Sequence, residues 1–174
     1  MRLEQSVLIG APPEVVFRFF TQLDHLRFVS AERRREWCPA LGLRLEVGAS
    51  RDVRVQQGRH SVSLTFRTLR LDPPFGHEHE FLSWPVEGAR HAQRFAAEDG
   101  GLATRVTDVA EWSPPWYARA LVARHEAEQR RFFDEKLRNA RALVEAVYAR
   151  RGSAAFEGGI FADAADAGFA PVIP

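Results

Sequence analysis

His91 and Asp108 are the two side chains of this 174-residue sequence best suited to passing a proton between them. They flank Asp99-Gly100, a dipeptide of the type that two-residue hairpins use because both turn positions take positive φ. With Glu98 set opposite Gly101, the register pairs Phe95 with Thr104, Gln93 with Val106 and His91 with Asp108, all on one face. The other face carries Arg90, Arg94, Arg105, Thr107 and Glu111 and reads as the solvent side, so His91 and Asp108 point inward. A carboxylate bonded to one imidazole nitrogen fixes the tautomer and leaves the other nitrogen as a base near neutral pH. The same pair can also serve only to rigidify the hairpin.

His77 and His79 fall on one strand face in His77-Glu78-His79-Glu80, a spacing that suits a metal, with His91 able to approach from a neighbouring strand. No carboxylate is fixed by spacing as a third ligand, so a strand with one wet side is the plainer reading and no metal is expected. Arg33, Arg34 and Arg35, inside Glu32-Arg33-Arg34-Arg35-Glu36, lie near one expected mouth of a cavity and can hold a carboxylate or phosphate through paired guanidinium contacts. Balanced by their own glutamates, they can equally form a solvated turn. Cys38 has no histidine tied to it by spacing and reads as a small buried hydrophobe. Nucleotide-loop, zinc-protease and hydrolase signatures are absent, so no cofactor is expected.

Positioning such residues takes a sheet and an element to cover it. Residues 117–151 repeat every three to four, with Leu121, Gln129, Phe132, Phe133, Leu137, Ala140, Val144 and Val147 in one stripe and charged side chains opposite. Gly152 is placed to stop this helix. Upstream the period is two. Residues 2–9 read as a first strand, Pro13 opens a short apolar helix, and residues 24–28 form a second short helix or turn. Further strands are expected at 41–47, on both sides of a Gln57-Gly58 turn, at 76–83, at 89–97 and after Gly101. That Gln57-Gly58 turn pairs Val55 with His60 and Val53 with Val62, and puts Val53, Val55, Val62, Leu64 and Phe66 on one face.

The expectation is an α+β fold: a curved antiparallel sheet of about seven strands wrapped around a long C-terminal helix, with two short helices after the first strand. Such a grip leaves a concave apolar space, and Phe66, Gln93, Phe95, Thr104, Val106, Gln129, Phe132 and Phe133 are its expected ligand-binding residues. Residues 1–151 make this domain. Residues 152–174 form an Ala/Gly-rich tail whose Phe156, Ile160, Phe161, Phe169, Val172 and Ile173 are expected to dock on this chain or on a second copy in a homodimer.

The formal net charge of +1 is too small for a global nucleic-acid footprint. Lys136 is the only lysine among 24 basic residues, and the sequence assigns it no role. A single cysteine permits no intrachain disulfide and suits a reducing compartment. No signal-peptide pattern and no run of ~20 apolar residues occurs, so a cytoplasmic location without membrane insertion is expected.

The opening Ile9-Gly10-Ala11-Pro12-Pro13-Glu14-Val15-Val16-Phe17, an apolar strand followed by Ala-Pro and a Val-Phe helix, resembles the frequent start of the helix-grip or START-like (SRPBCC) superfamily. His91-Ala92-Gln93-Arg94-Phe95, Ala103-Thr104-Arg105-Val106-Thr107-Asp108 and Pro114-Pro115 resemble the last hairpin of its polyketide cyclase/dehydrase-type members. There His-x-His-x-Phe is common, and Gln93 departs from the second His. The resemblance covers residues 1–151 and implies binding of a hydrophobic or amphipathic small molecule between helix and sheet. It also admits a cofactor-independent cyclase, dehydratase or isomerase using His91 and Asp108, or an interaction module whose cavity is filled.

Overall fold

Alternation along the strands decides which side chains face inward. In β6 (Arg90–Glu98) His91, Gln93 and Phe95 are buried while Arg90 and Arg94 are exposed, and in β7 (Ala103–Glu111) Thr104, Val106 and Asp108 are buried while Arg105 is exposed. A pleated strand with one wet face produces this period of two. The computed structural model describes residues 1–29, 34–37, 44–57, 60–83, 86–113, 119–157 and 168. Along the chain run β1 (Arg2–Ile9), α1 (Pro13–Thr21), a 3₁₀ turn (Leu23–His25), α2 (Leu26–Val29), β2 (Arg34–Trp37), β3 (Ser50–Gln57), β4 (His60–Asp72), β5 (Gly76–Phe81), β6, β7 and α3 (Arg119–Arg151). The strands pair antiparallel in the order β1-β7-β6-β5-β4-β3-β2, so the last strand closes onto the first.

Six strands carry the sheet, and the four-residue β2 adds an edge beside β3. The strand expected over residues 41–47 is corrected over its described part, residues 44–47. From Arg44 the chain makes one bridge, Gln22 to Arg44, and then turns at Val47-Gly48, where Gly48 takes a φ of 80° that strand residues do not adopt. Residues 41–43, like Cys38, lie outside the described residues.

Both expected hairpin registers slip by two residues. β6 and β7 pair Glu98 with Ala103, so the loop holds Asp99, Gly100, Gly101 and Leu102, and His91 faces Ala110 while Gln93 faces Asp108 and Phe95 faces Val106. The cause is a third residue with positive φ: Asp99 (49°), Gly100 (68°) and Gly101 (93°) all take it, and the turn spreads over them. β3 and β4 likewise pair Val55 with Val62 and Val53 with Leu64. A slip of two preserves the face, so the inward set survives. Between β4 and β5 the register shifts by one at Leu69, a bulge that puts Thr68 opposite His79 and Leu71 opposite His77.

The helices close the inner face. Pro13 sits in the first turn of α1, where its missing N–H costs no bond, and Val15, Val16, Phe17, Phe19 and Phe20 are all buried. On α3 the buried stripe is Phe132, Lys136, Leu137, Ala140, Leu143, Val144 and Val147. Glu145 of α3 accepts a hydrogen bond from the Gly10 backbone N–H at 2.8 Å, which fixes the helix against the end of β1. One apolar cluster joins α1, α3 and the Phe95 and Val106 positions; a second joins Leu23, Leu45, Val53 and Phe66. Among the described residues no helix is long and apolar enough to cross a membrane.

Gly152 ends α3 with a φ of 64°, and the 3₁₀ turn Gly152–Phe156 then carries Phe156 into the first cluster at 0% exposure. The core therefore continues past residue 151, while Ile160, Phe161, Phe169, Val172 and Ile173 lie outside the described residues. Phe156→Ala is expected to lower the unfolding free energy by ~3–5 kcal/mol in urea titrations. A loss under ~1 kcal/mol would mean that the turn does not belong to the core.

Candidate functional site

The alternation of His77-Glu78-His79-Glu80 turns the histidines inward and the glutamates outward, where Glu78 and Glu80 meet Arg90 and Arg67. Gly76, at the head of β5, sets the spacing: a Cβ there would lie 2.4 Å from the Gln93 carbonyl oxygen. Only glycine lets β5 approach β6 so closely at this point, and the approach delivers His77 to Gln93.

Five inward side chains of β5, β6 and β7 form one hydrogen-bonded network. His77 Nε2 meets Gln93 Oε1 at 2.9 Å, and Gln93 Nε2 donates to Asp108 Oδ2 at 3.1 Å. His91 Nε2 meets Asp108 Oδ1, and His91 Nδ1 meets His79 Nε2 at 3.0 Å. From α3, Lys136 places its ammonium 4.0 Å from Asp108 Oδ2 and 5.9 Å above the Phe133 ring, although it is only 6% exposed.

The direction of the network follows from its acceptor. Burial alone would raise the Asp108 carboxyl, but the nearby Lys136 ammonium and the hydrogen bonds from His91 and Gln93 outweigh it and hold the group below the usual carboxylate range. An ionised carboxylate only accepts, so His91 Nε2 and Gln93 Nε2 both donate to it. Gln93 then turns Oε1 to His77, whose Nε2 donates. At His91, Nδ1 accepts from the Nε2–H of His79. The reverse would leave His79 with a buried Nδ1–H lacking an acceptor and would add a second buried cation beside Lys136. Burial lowers His77 to about 3 and His79 well below the usual histidine range, so both rings are neutral.

Three polar atoms next to this network have no hydrogen-bond partner among the described residues: Thr68 Oγ1, His77 Nδ1 and His79 Nδ1. Aromatic rings surround them. His79 lies 4.8 Å from Phe66 and 5.5 Å from Phe81, and His91 stacks on Phe133 at 5.6 Å and 20°.

The structure brings together His91, Asp108, Gln93, Phe66 and Phe133, with Phe132 buried against Phe133 and Gln129 half-buried on the preceding turn. His91 and Asp108 meet as diagonal neighbours rather than directly opposed, a consequence of the four-residue loop. Phe95 and Val106 instead pack in the first core cluster, Phe95 against Phe17 and Phe20, though its ring still lies 6.2 Å from His77. Thr104 donates to the Ala11 carbonyl at 2.7 Å, tying β7 to the turn after β1. Arg33 lies outside the described residues. Arg34 and Arg35 belong to β2, opposite Gln57 and Gln56, in place of the expected charged turn. Among the described residues no three His, Cys, Asp or Glu side chains are placed to hold one metal ion. Sequence reasoning missed Lys136, whose signal was a lone lysine at the i+3 and i+4 positions from Phe133 and Phe132, and Thr68, whose signal was the alternation that already places Leu64 and Phe66 on the inward face.

Solved structures share this arrangement at low identity. NE0264 from Nitrosomonas europaea superposes with a TM-score of 0.69 at 14% identity, over 86% of this chain and 97% of its own. CV1439 from Chromobacterium violaceum gives 0.64 at 17%, over 83% and 97%, and Ms6760 from Mycobacterium smegmatis 0.63 at 15%, over 82% and 89%. No family model matches the chain, and no curated protein does. At these identities the likeness shows the fold alone: a small α+β protein with an antiparallel sheet and a long C-terminal helix, consistent with a helix grip.

The lowered histidines set a pH dependence. A folded pKa of about 3 against 6.5 for the free side chain means that His77 contributes stability present above pH ~6.5 and lost as pH falls toward 3. Asp108 adds a second loss only below pH ~4, as its carboxylate is protonated. The stability of the wild type is therefore expected to fall by roughly 3 kcal/mol between pH 6.5 and 4 through His77 alone. His77→Gln should shrink that decline in urea titrations at matched pH; an equal decline in the variant would exclude His77 as its source.

Proposed function

We propose that this chain is a cytoplasmic member of the START-like superfamily that binds an amphipathic small molecule between α3 and the inner face of the sheet. The observation that carries this reading is the set of buried polar atoms without partners among the described residues, Thr68 Oγ1, His77 Nδ1 and His79 Nδ1, beside the rings of Phe66, Phe81 and Phe133. Each unmet buried group costs about 1–3 kcal/mol, so a core selected for stability alone would place apolar side chains there. A ligand with an apolar body and one polar end meets both requirements, gaining about 25 cal/mol per Å² from apolar burial.

The same geometry weighs against proton-transfer catalysis. That reading needs a free basic nitrogen on His91, and both of its ring nitrogens are engaged, by Asp108 and by His79. The lone pair left at the end of the chain is Nδ1 of His79, and burial makes that ring a weak base at neutral pH.

Native mass spectrometry of the purified full chain is expected to show a mass above that of the polypeptide, and organic extraction to release the bound compound. Phe133→Ala should cut ligand occupancy about tenfold with a small loss of stability, whereas Phe132→Ala, at 7% exposure, should cost ~3–5 kcal/mol. A bare polypeptide mass, with equal destabilisation by both substitutions, would point to a filled core and overturn the reading.

A further inference from the structure

We infer that the polar end of the ligand is an uncharged hydroxyl group, held between the Thr68 hydroxyl on β4 and the Nδ1 nitrogen of His79 on β5. This rests on the binding reading above and names the chemistry that the site selects. Thr68 and His79 face each other across the β4–β5 pair, next to the bulge at Leu69, and are 1% and 9% exposed. The Nε2–H of His79 is committed to His91, so Nδ1 carries a lone pair and can only accept. The Thr68 hydroxyl has a proton to give and no acceptor among the described residues. One hydroxyl placed between them would satisfy both, its proton going to His79 Nδ1 and its oxygen accepting from Thr68; both atoms are closed to solvent in this structure, so the Thr68 and His79 side chains must part to admit it. His77 Nδ1, on a ring nearly parallel to that of His79 at 13° and 5.8 Å, offers a second acceptor to a ligand with two hydroxyls.

Charge separates this choice from its rivals. A carboxylate has no proton for His79 Nδ1, and the buried cation that would attract it, Lys136, is already paired with Asp108. An ammonium finds no free anion in this network, because both oxygens of Asp108 accept bonds from His91 and Gln93. An ether offers Thr68 an acceptor but gives His79 nothing.

Naphthol, its methyl ether and naphthoate, titrated by fluorescence into the full chain stripped of bound compound, separate these cases. Naphthol is expected to bind roughly tenfold or more tightly than the ether, against the order of hydrophobicity, and more tightly than naphthoate. Thr68→Val keeps the side-chain shape and removes a buried hydroxyl that lacks a partner, so the free protein should be at least as stable, which a urea midpoint checks. In that variant the preference for naphthol over the ether should shrink severalfold. Equal binding of naphthol and ether, or a preference untouched by Thr68→Val, would overturn the hydroxyl assignment while leaving the binding site in place. Tightest binding of naphthoate would replace it with an anion site. Binding of none of the three would remove the binding reading together with this one.

Discussion

A carboxylate that stays ionised inside the protein sets the terms for the rest of this structure. Asp108 is 3% exposed, and an isolated charge at that depth is prohibitively costly. Donors must therefore come to it. His91 and Gln93 supply two hydrogen bonds from β6, and Lys136 supplies the compensating charge from α3. The donors are then held in turn, since Gln93 is oriented by His77 and His91 by His79. Every link points at the same carboxylate, so the network has one direction and fixes the tautomer of each ring. Loss of any member strands a buried partner, which makes such a network a strong determinant of one arrangement of strands and helix.

Local backbone features deliver these groups to their places. Gly76 permits the close approach of β5 to β6, the bulge at Leu69 brings Thr68 opposite His79 and Leu71 opposite His77, and the loop of Asp99 to Leu102 sets Gln93 across from Asp108. The two apolar clusters lie on either side of the polar network. His77 borders Phe95 of the first, and His79 borders Phe66 of the second. The inner face thus changes from dry to polar within a few residues, and the unmet atoms lie at that boundary.

The inward face of β6 and β7 was legible because alternation has a period of two and both register errors were slips of two, which leave each side chain on its side of the sheet. The partner opposite a given residue was not legible, since Gly101 lengthens the turn in a way that Asp99-Gly100 alone does not announce. The strand expected over residues 41–47 shows the weakness of alternation by itself: Leu45 is buried as its pattern required, yet the described residues 44–47 add only the bridge from Arg44 to Gln22 and no ladder. Lys136 was hidden by its type. A lysine in an apolar helix stripe is ordinarily a flank residue, and only the carboxylate facing it explains its burial. The spacing of His77 and His79 puts them on one face, but their role as neutral donors follows from Gln93 and His91, whose contacts depend on the register.

The binding reading and the hydroxyl assignment both depend on the protons lying where the network puts them. Long-range proton–nitrogen correlation spectra of the histidine-labelled protein at neutral pH report this directly, because protonated and bare ring nitrogens resonate far apart. The account predicts that His77, His79 and His91 each carry a proton on Nε2 and none on Nδ1. An imidazolium pattern at His91, or a proton on Nδ1 of His79, would reverse the order of donors, remove the free acceptor from the inner face, and contradict it.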